Sequence, residues 1–234
     1  LAGDATTTTS SNVAVGYAAL SGASGGTNVA VGSLTLFEAT GFDNTAIGSF
    51  AAFAVTSGDN NIAIGHDALR TGSPGGNQTT GNNKIGLGDD DISSFNCQVA
   101  LTVASDQRDK TDFVDLDLGL DFVKALEPVT YYWDKRSKYG DKYADDYDLN
   151  AQTPDGTHKE DWMDVGFKAQ AVRDLEEAAG YTAAAKKNLT VSLSEDGKQY
   201  GLQYEKFIPI LVKAIQDQDA IITALTARVA ALES

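Results

Sequence analysis

The sequence predicts a mainly β, repetitive rod, a β-solenoid or prism, followed by an α+β domain that ends in a long helix with a coiled-coil seam. Three observations predict it. Asn12-Val13-Ala14-Val15-Gly16 recurs as Asn28-Val29-Ala30-Val31-Gly32, Asn44-Thr45-Ala46-Ile47-Gly48 and Asn61-Ile62-Ala63-Ile64-Gly65, at steps of 16, 16 and 17 residues. Composition changes abruptly near residue 105, where most glycines lie behind and both tryptophans and eight of nine tyrosines lie ahead. The last segment carries apolar residues at alternating spacings of four and three.

Each repeat alternates large apolar and small side chains with period 2 and closes on a glycine suited to a bend, which describes a short strand and its turn. A small apolar cluster follows each glycine, as in Tyr17-Ala18-Ala19-Leu20, before a polar turn. One such unit cannot bury its apolar face, so successive coils must stack or several chains must wrap together. Asn12, Asn28, Asn44 and Asn61 are expected to form a ladder along the rod that satisfies backbone groups at the turns. Ile85-Gly86-Leu87-Gly88 is a degenerate fifth copy after an insertion containing Ser73-Pro74-Gly75-Gly76.

Past the repeats, Phe95 to Ala104 reads as a strand-rich link and Thr111 to Leu126 as a helix ended by Pro128. Val129 to Trp133 is β-branched and aromatic, hence a strand. The charged stretch from Lys135 to Thr157 reads as a loop, and Gly166 to Ala179 as a helix ended by Gly180. A strand from Leu189 to Leu193, turned at Asp196-Gly197, is expected to pair with Tyr200 to Tyr204. The final helix, 207–234, presents Leu211, Ile215, Gln218, Ile222, Leu225, Val229 and Leu232 as one seam. Its β-branched and Leu positions alone favour a parallel dimer, Gln218 can fix register, and the plain alternative is a helix packed on its own domain. The expected domains are 1–104 and 105–234.

Thirty-three acidic against 18 basic residues give a formal charge of -15, which repels a phosphate backbone and excludes nucleic acid as an expected partner. Cys97 is the only cysteine, so no intrachain disulfide forms, and it reads as a buried small hydrophobe. No apolar run is long enough to span a membrane. Leu1 opens the chain without methionine or a signal-like stretch, as expected of a segment of a longer protein. No metal and no cofactor are expected: His66 and His158 lack partners at ligand spacing, and Asp89-Asp90-Asp91 reads as a solvated acidic turn. Asn77 and Asn188 begin glycosylation sequons that carry little weight. Asp161, Asp164, Glu176 and Glu177 form no acid/base pair.

The repeats, over residues 12 to 88, resemble the head repeats of trimeric autotransporter adhesins and similar repeats in phage tail fibres. From the composition break onward the motifs are more specific. Ser105-Asp106-Gln107-Arg108-Asp109-Lys110 is followed by Gly119-Leu120-Asp121, then Leu126-Glu127-Pro128-Val129-Thr130-Tyr131-Tyr132-Trp133. Next come Gly166-Phe167-Lys168-Ala169-Gln170 and Tyr204-Glu205-Lys206-Phe207-Ile208-Pro209. In this order they resemble the C-terminal intramolecular chaperone domain of phage tail fibres, tailspikes and endosialidases.

That resemblance implies a homotrimer, assembled by the domain and then cut from it by a Ser-Lys dyad. Ser105 is the implied nucleophile, Lys110 the general base, Ala104-Ser105 the scissile bond, and Asp106 and Arg108 supporting motif residues. The chain would then be a single-turnover autocatalytic serine endopeptidase with no external substrate. The chemistry needs such a pair, because a serine hydroxyl is a weak nucleophile and a lysine deprotonates it only once burial favours the neutral amine. Ser105 follows the bond it attacks, so its hydroxyl adjoins that carbonyl and positioning supplies much of the rate. Residues five apart meet only if a turn intervenes or another chain contributes one of them. The oxyanion donor is not identified, and Asp106, Asp109 and Asp112 crowd the lysine unless Arg108 neutralises one.

The expected setting is a virion tail fibre that binds a host cell-surface receptor or polysaccharide, with the chaperone part released in the host cytoplasm. The alternatives are a bacterial or phage surface adhesin that keeps an uncleaved trimerisation cap, and an enzyme on host polysaccharide, for which the repeats offer no paired carboxylates.

Overall fold

The computed structural model describes residues 2–3, 11–22, 25–185, 187 and 189–233. Asn188 of the second sequon and Ser234 at the end of the expected coiled-coil helix lie outside them. Strands β1 (Val13–Val15), β2 (Val29–Val31), β3 (Thr45–Ile47), β4 (Ile62–Ile64) and β5 (Ile85–Leu87) form one parallel sheet in chain order. Val13 pairs with Val29, which pairs with Thr45, then Ile62, then Ile85. Each sequence repeat is therefore one coil of a β-solenoid, and the insertion after Arg70 widens the fourth coil without breaking register.

The centre of each strand points inward, and Ala30, Ala46 and Ala63 are fully buried. They pack against Ala19, Leu20, Leu36, Ala51, Ala52 and Leu69 from the opposite wall; alanine fits because the walls lie close. The closing glycines are required where they stand. Gly32 has φ +142°, and a Cβ there would lie 2.4 Å from the carbonyl oxygen of Gly48 on the next coil. The following turn repeats positive φ at non-glycine residues, including Leu34, Leu36, Phe50 and Ala52, at about 1–2 kcal/mol each. Coil-to-coil hydrogen bonds such as Phe50 N–H to Ser33 O (2.9 Å) and Ala52 N–H to Ala68 O (2.9 Å) offset that strain. The outer strand face is apolar and exposed at Val13, Val15, Ile47, Ile64, Ile85 and Leu87.

The asparagines join the coils through backbone. The Asn28 amide donates to Gly41 O (2.9 Å), and its oxygen accepts from Asn44 N–H (2.9 Å). Asn44 repeats this with Gly58 O and Asn61 N–H, and Asn61 with Gly81 O and Lys84 N–H. Asn12 starts the series on Gly25 O and Asn28 N–H.

Two compact units divide the chain. One comprises Leu1–Ser94, Tyr132–Asp164 and Leu193–Gly201; the other comprises Phe95–Tyr131, Val165–Ser192 and Leu202–Ser234. Residues 132–164 and 193–201 group with the coils because their basic and polar side chains satisfy carboxylates and backbone groups of the last coils.

The second unit is built on α1 (Leu120–Ala125), α2 (Ala169–Ala178) and α3 (Phe207–Glu233). Leu118, Phe122 and Ile210 form its core, with Leu116, Val123, Leu175, Tyr181 and Leu189 around them. Glu176 is buried and accepts from Thr190 N–H (2.8 Å) and its hydroxyl (2.5 Å). Strand β6 (Val129–Tyr132) pairs with β7 (Met163–Gly166), and β8 (Val191–Leu193) pairs with β9 (Tyr200–Leu202).

Three expectations are corrected. The Phe95–Ala104 link contains no strand, and Val99, Leu101 and Val103 stand 75%, 77% and 78% exposed; a strand needs a partner, and none lies there among the described residues. Cys97 is exposed for the same reason. The helix expected from Thr111 begins only at Leu120. Asp112, Asp115 and Asp117 disfavour a helix interior, Asp112 takes φ +55°, and the Asp217 carboxylate caps Leu120 N–H at 3.1 Å.

Candidate active site

A single 3-10 turn, Gln107–Asp109, sits between Ser105 and Lys110. Asp106 caps it: the carboxylate accepts from Arg108 N–H (2.9 Å), and the Arg108 guanidinium folds back onto the same carboxylate at 2.6 Å. Hydrogen bonding from Arg108 holds the Asp106 carboxyl below the usual carboxylate range, and Asp106 in turn raises the guanidinium. The turn reverses the chain so that Lys110 Nζ donates to Ser105 Oγ at 2.6 Å. The five-residue spacing thus closes within one chain, through a single turn. Among the described residues no ion pair links Lys110 to Asp109 or Asp112, and Arg108 occupies Asp106.

Ala104, Ser105, Asp106, Arg108 and Lys110 are all exposed. A lysine becomes a base near neutral pH by being desolvated, and among the described residues nothing covers the pair.

The seam of α3 is likewise bare. Leu211, Ile215, Gln218, Ile222, Leu225, Val229 and Leu232 are exposed. A different face of the same helix, with Phe207, Ile210 and Ala214, is buried, and Asp217 reaches α1 from the following turn. The helix thus packs on its own unit through one face and leaves the heptad positions exposed on another. Pro209 lies in the first turn, where its missing N–H costs nothing.

A second constellation escaped the sequence. His66 and Asp89-Asp90-Asp91 were expected to be an unpartnered surface residue and a solvated turn. His66 Nδ1 instead lies 3.1 Å from Asp89 and 3.5 Å from Asp67, near enough to share a cation with them. Asp67, Asp89 and Asp90 are 1%, 6% and 7% exposed. Lys142 reaches Asp67 (3.0 Å) and Asp90 (3.5 Å), Lys138 reaches Asp90 (3.2 Å), and Ser137 donates to Asp90 at 2.6 Å. Lysine ammonium groups thus reach Asp67 and Asp90, while Asp89 meets His66. These partners lie some 50 to 75 residues downstream, beyond the reach of any local pattern. His158 packs edge-on against Tyr139 at 4.9 Å. No helix among the described residues is long and apolar enough to cross a membrane.

Comparison with known proteins adds one finding to this geometry. Residues 105–181 match the family described as the chaperone of endosialidase. The match begins at Ser105, the residue that the turn brings against Lys110. No curated protein and no solved structure matches the chain.

Proposed function

We propose that this chain is the C-terminal part of a phage tail fibre whose intramolecular chaperone domain trimerises and folds the β-rod, then releases itself at Ala104-Ser105. The observation that carries the reading is the 2.6 Å contact between Lys110 Nζ and Ser105 Oγ, at the first residue of the chaperone match. The match itself supports a role in folding and assembly of a phage tail protein.

With Lys110 neutral, Ser105 Oγ adds to the Ala104 carbonyl carbon and its proton passes to the Lys110 amine. The C–N bond then breaks, the proton moves to the leaving Ser105 nitrogen, and an ester replaces the amide. Water hydrolyses the ester, leaving the Ala104 carboxylate and restoring the serine hydroxyl. Desolvation of Lys110 falls to neighbouring copies in the trimer, so that cutting waits for assembly. The bare seam of α3 and the exposed outer face of β1–β5 support those copies as the missing cover. A rod of intertwined chains folds slowly and risks misregistration, a clamp raises effective concentration, and its removal leaves the rod kinetically locked. The released fibre then meets a host cell-surface receptor or polysaccharide.

The test is intact mass and denaturing electrophoresis of wild type beside Ser105→Ala and Lys110→Ala. Wild type yields a fragment starting at Ser105, and both variants stay whole. Exposure of both residues supports the alternative of a fibre or adhesin with a retained cap; an uncut wild-type trimer would establish it.

A further inference from the structure

The compact unit that contains the coils also contains residues 132–164 and 193–201, which lie beyond the Ala104-Ser105 bond. Cutting that bond therefore leaves this unit made of two polypeptides with their mutual contacts in place. Those contacts are dense and ionic. Asp67 of the fourth coil accepts from Tyr143 (2.9 Å), and the Lys142 ammonium lies 3.0 Å from it. Asp90, just past the fifth strand, takes Ser137 and Lys138.

A second grip acts on the backbone. The Glu195 carboxylate accepts from Thr80 N–H and Gly81 N–H, both at 3.1 Å, and Asp196 accepts from Asn77 N–H at 3.0 Å. An aromatic contact completes the set. Arg70 stands over Phe50, Phe53 and Tyr143 at 4.6, 4.8 and 4.7 Å from the ring centroids.

We propose that the cut chaperone part stays bound to the rod through this latch of lysines on buried carboxylates, and that breaking the latch, rather than the peptide bond, is what separates them. The inference rests on the self-cleavage reading. Its chemistry is that of charge pairs that are strong while desolvated and weak once water and salt enter. The pieces separate because parting rehydrates Asp67 and Asp90 instead of stranding them in a dry interior. The rod's end then presents a freshly exposed acidic face.

The experiment follows cleavage and association separately. Denaturing electrophoresis reports whether the chain is cut, and size exclusion with light scattering reports whether the pieces travel together. Cut wild type is expected to co-elute at about 50 mM salt and to be only partly loosened at about 1 M, because Asp67 and Asp90 are buried and their pairs are screened less than exposed charges. Lys138→Ala with Lys142→Ala should weaken the association by about tenfold or more, whereas Lys124→Ala, whose partner Asp121 lies on α1, should leave it unchanged. Two species from cut wild type at low salt, or equal retention in the double lysine variant, overturns the latch. If no cutting occurs, the self-cleavage reading fails; a protease site placed across residues 104 and 105 then generates the same two pieces, and the elution outcomes apply unchanged.

Discussion

Ser105 and Lys110 stand at a spacing that neither a strand nor a helix brings onto one side, and a capped 3-10 turn resolves it. Asp106 is the hinge of that arrangement, since its carboxylate both caps the turn and holds Arg108. If the chain cuts itself as proposed, Asp106→Ala should loosen the turn while leaving Ser105 and Lys110 in the chain, so cutting should slow by about ten- to a hundredfold rather than vanish, as expected of misplacement rather than loss of a reacting group. Time courses of fragment appearance measure it. In the rod the corresponding single residue is Asn44, fully paired and 1% exposed. Asn44→Ala leaves the Asn61 N–H and the Gly58 carbonyl without partners, at about 1–3 kcal/mol each. Chemical denaturation should find the rod less stable by about 2–6 kcal/mol, and Asn44→Asp, which keeps the acceptor, should recover part of the loss.

At the scale of elements, α3 carries a testable asymmetry. Ile222 and Leu225 are 54% and 53% exposed, so Asp at both positions buries no charge in a lone chain. If the seam joins copies, Ile222→Asp with Leu225→Asp should convert the assembly to monomers by light scattering while far-ultraviolet circular dichroism retains the solenoid and α1 signals. Elements were legible in the sequence where their cause is local. The solenoid strands announce themselves because one coil repeats the next, and α3 because its seam runs through several heptads. Elements whose cause is distant were not: α1 starts where Asp217 caps it, and β7 exists because β6 lies beside it. The Phe95–Ala104 link has strand-like alternation without strand neighbours, which is why pattern alone misread it. The candidate dyad was legible through its motif, whereas the pairing of Asp67 and Asp90 with Lys142 was not, since no periodicity encodes a contact across more than fifty residues.

For the molecule as a whole, the ionic contacts of Asp67 and Asp90 with Lys142 and Lys138 make stability depend on pH. Burial pushes the Asp67 carboxyl up, but hydrogen bonds from Lys142, Arg70 and Tyr143 outweigh it and hold the group below its ordinary 3.8. Asp90 behaves alike: burial opposes, while Ser137, Lys138 and the charge of Lys142 prevail. Burial works against the Lys142 ammonium, yet Asp67 and Asp90 raise it from 10.5 to about 12. A lowered carboxylate contributes stability above its unfolded value and loses it as pH falls through the folded one. A raised lysine contributes fully below 10.5 and loses its contribution as pH rises toward 12. Melting temperature against pH should therefore show a plateau between roughly pH 4 and 10.5, with an acid fall below and an alkaline fall above. Asp90→Asn should lower the plateau and flatten the acid limb, because a neutral amide has no proton to gain. Lys142→Met should remove its part of the alkaline limb and soften the acid one, since Asp67 and Asp90 lose the cation that holds them ionised. If wild type and Asp90→Asn fall in parallel below pH 4, the acid limb belongs to other carboxylates and the ionic contacts of the last coils do not govern the cohesion of this unit.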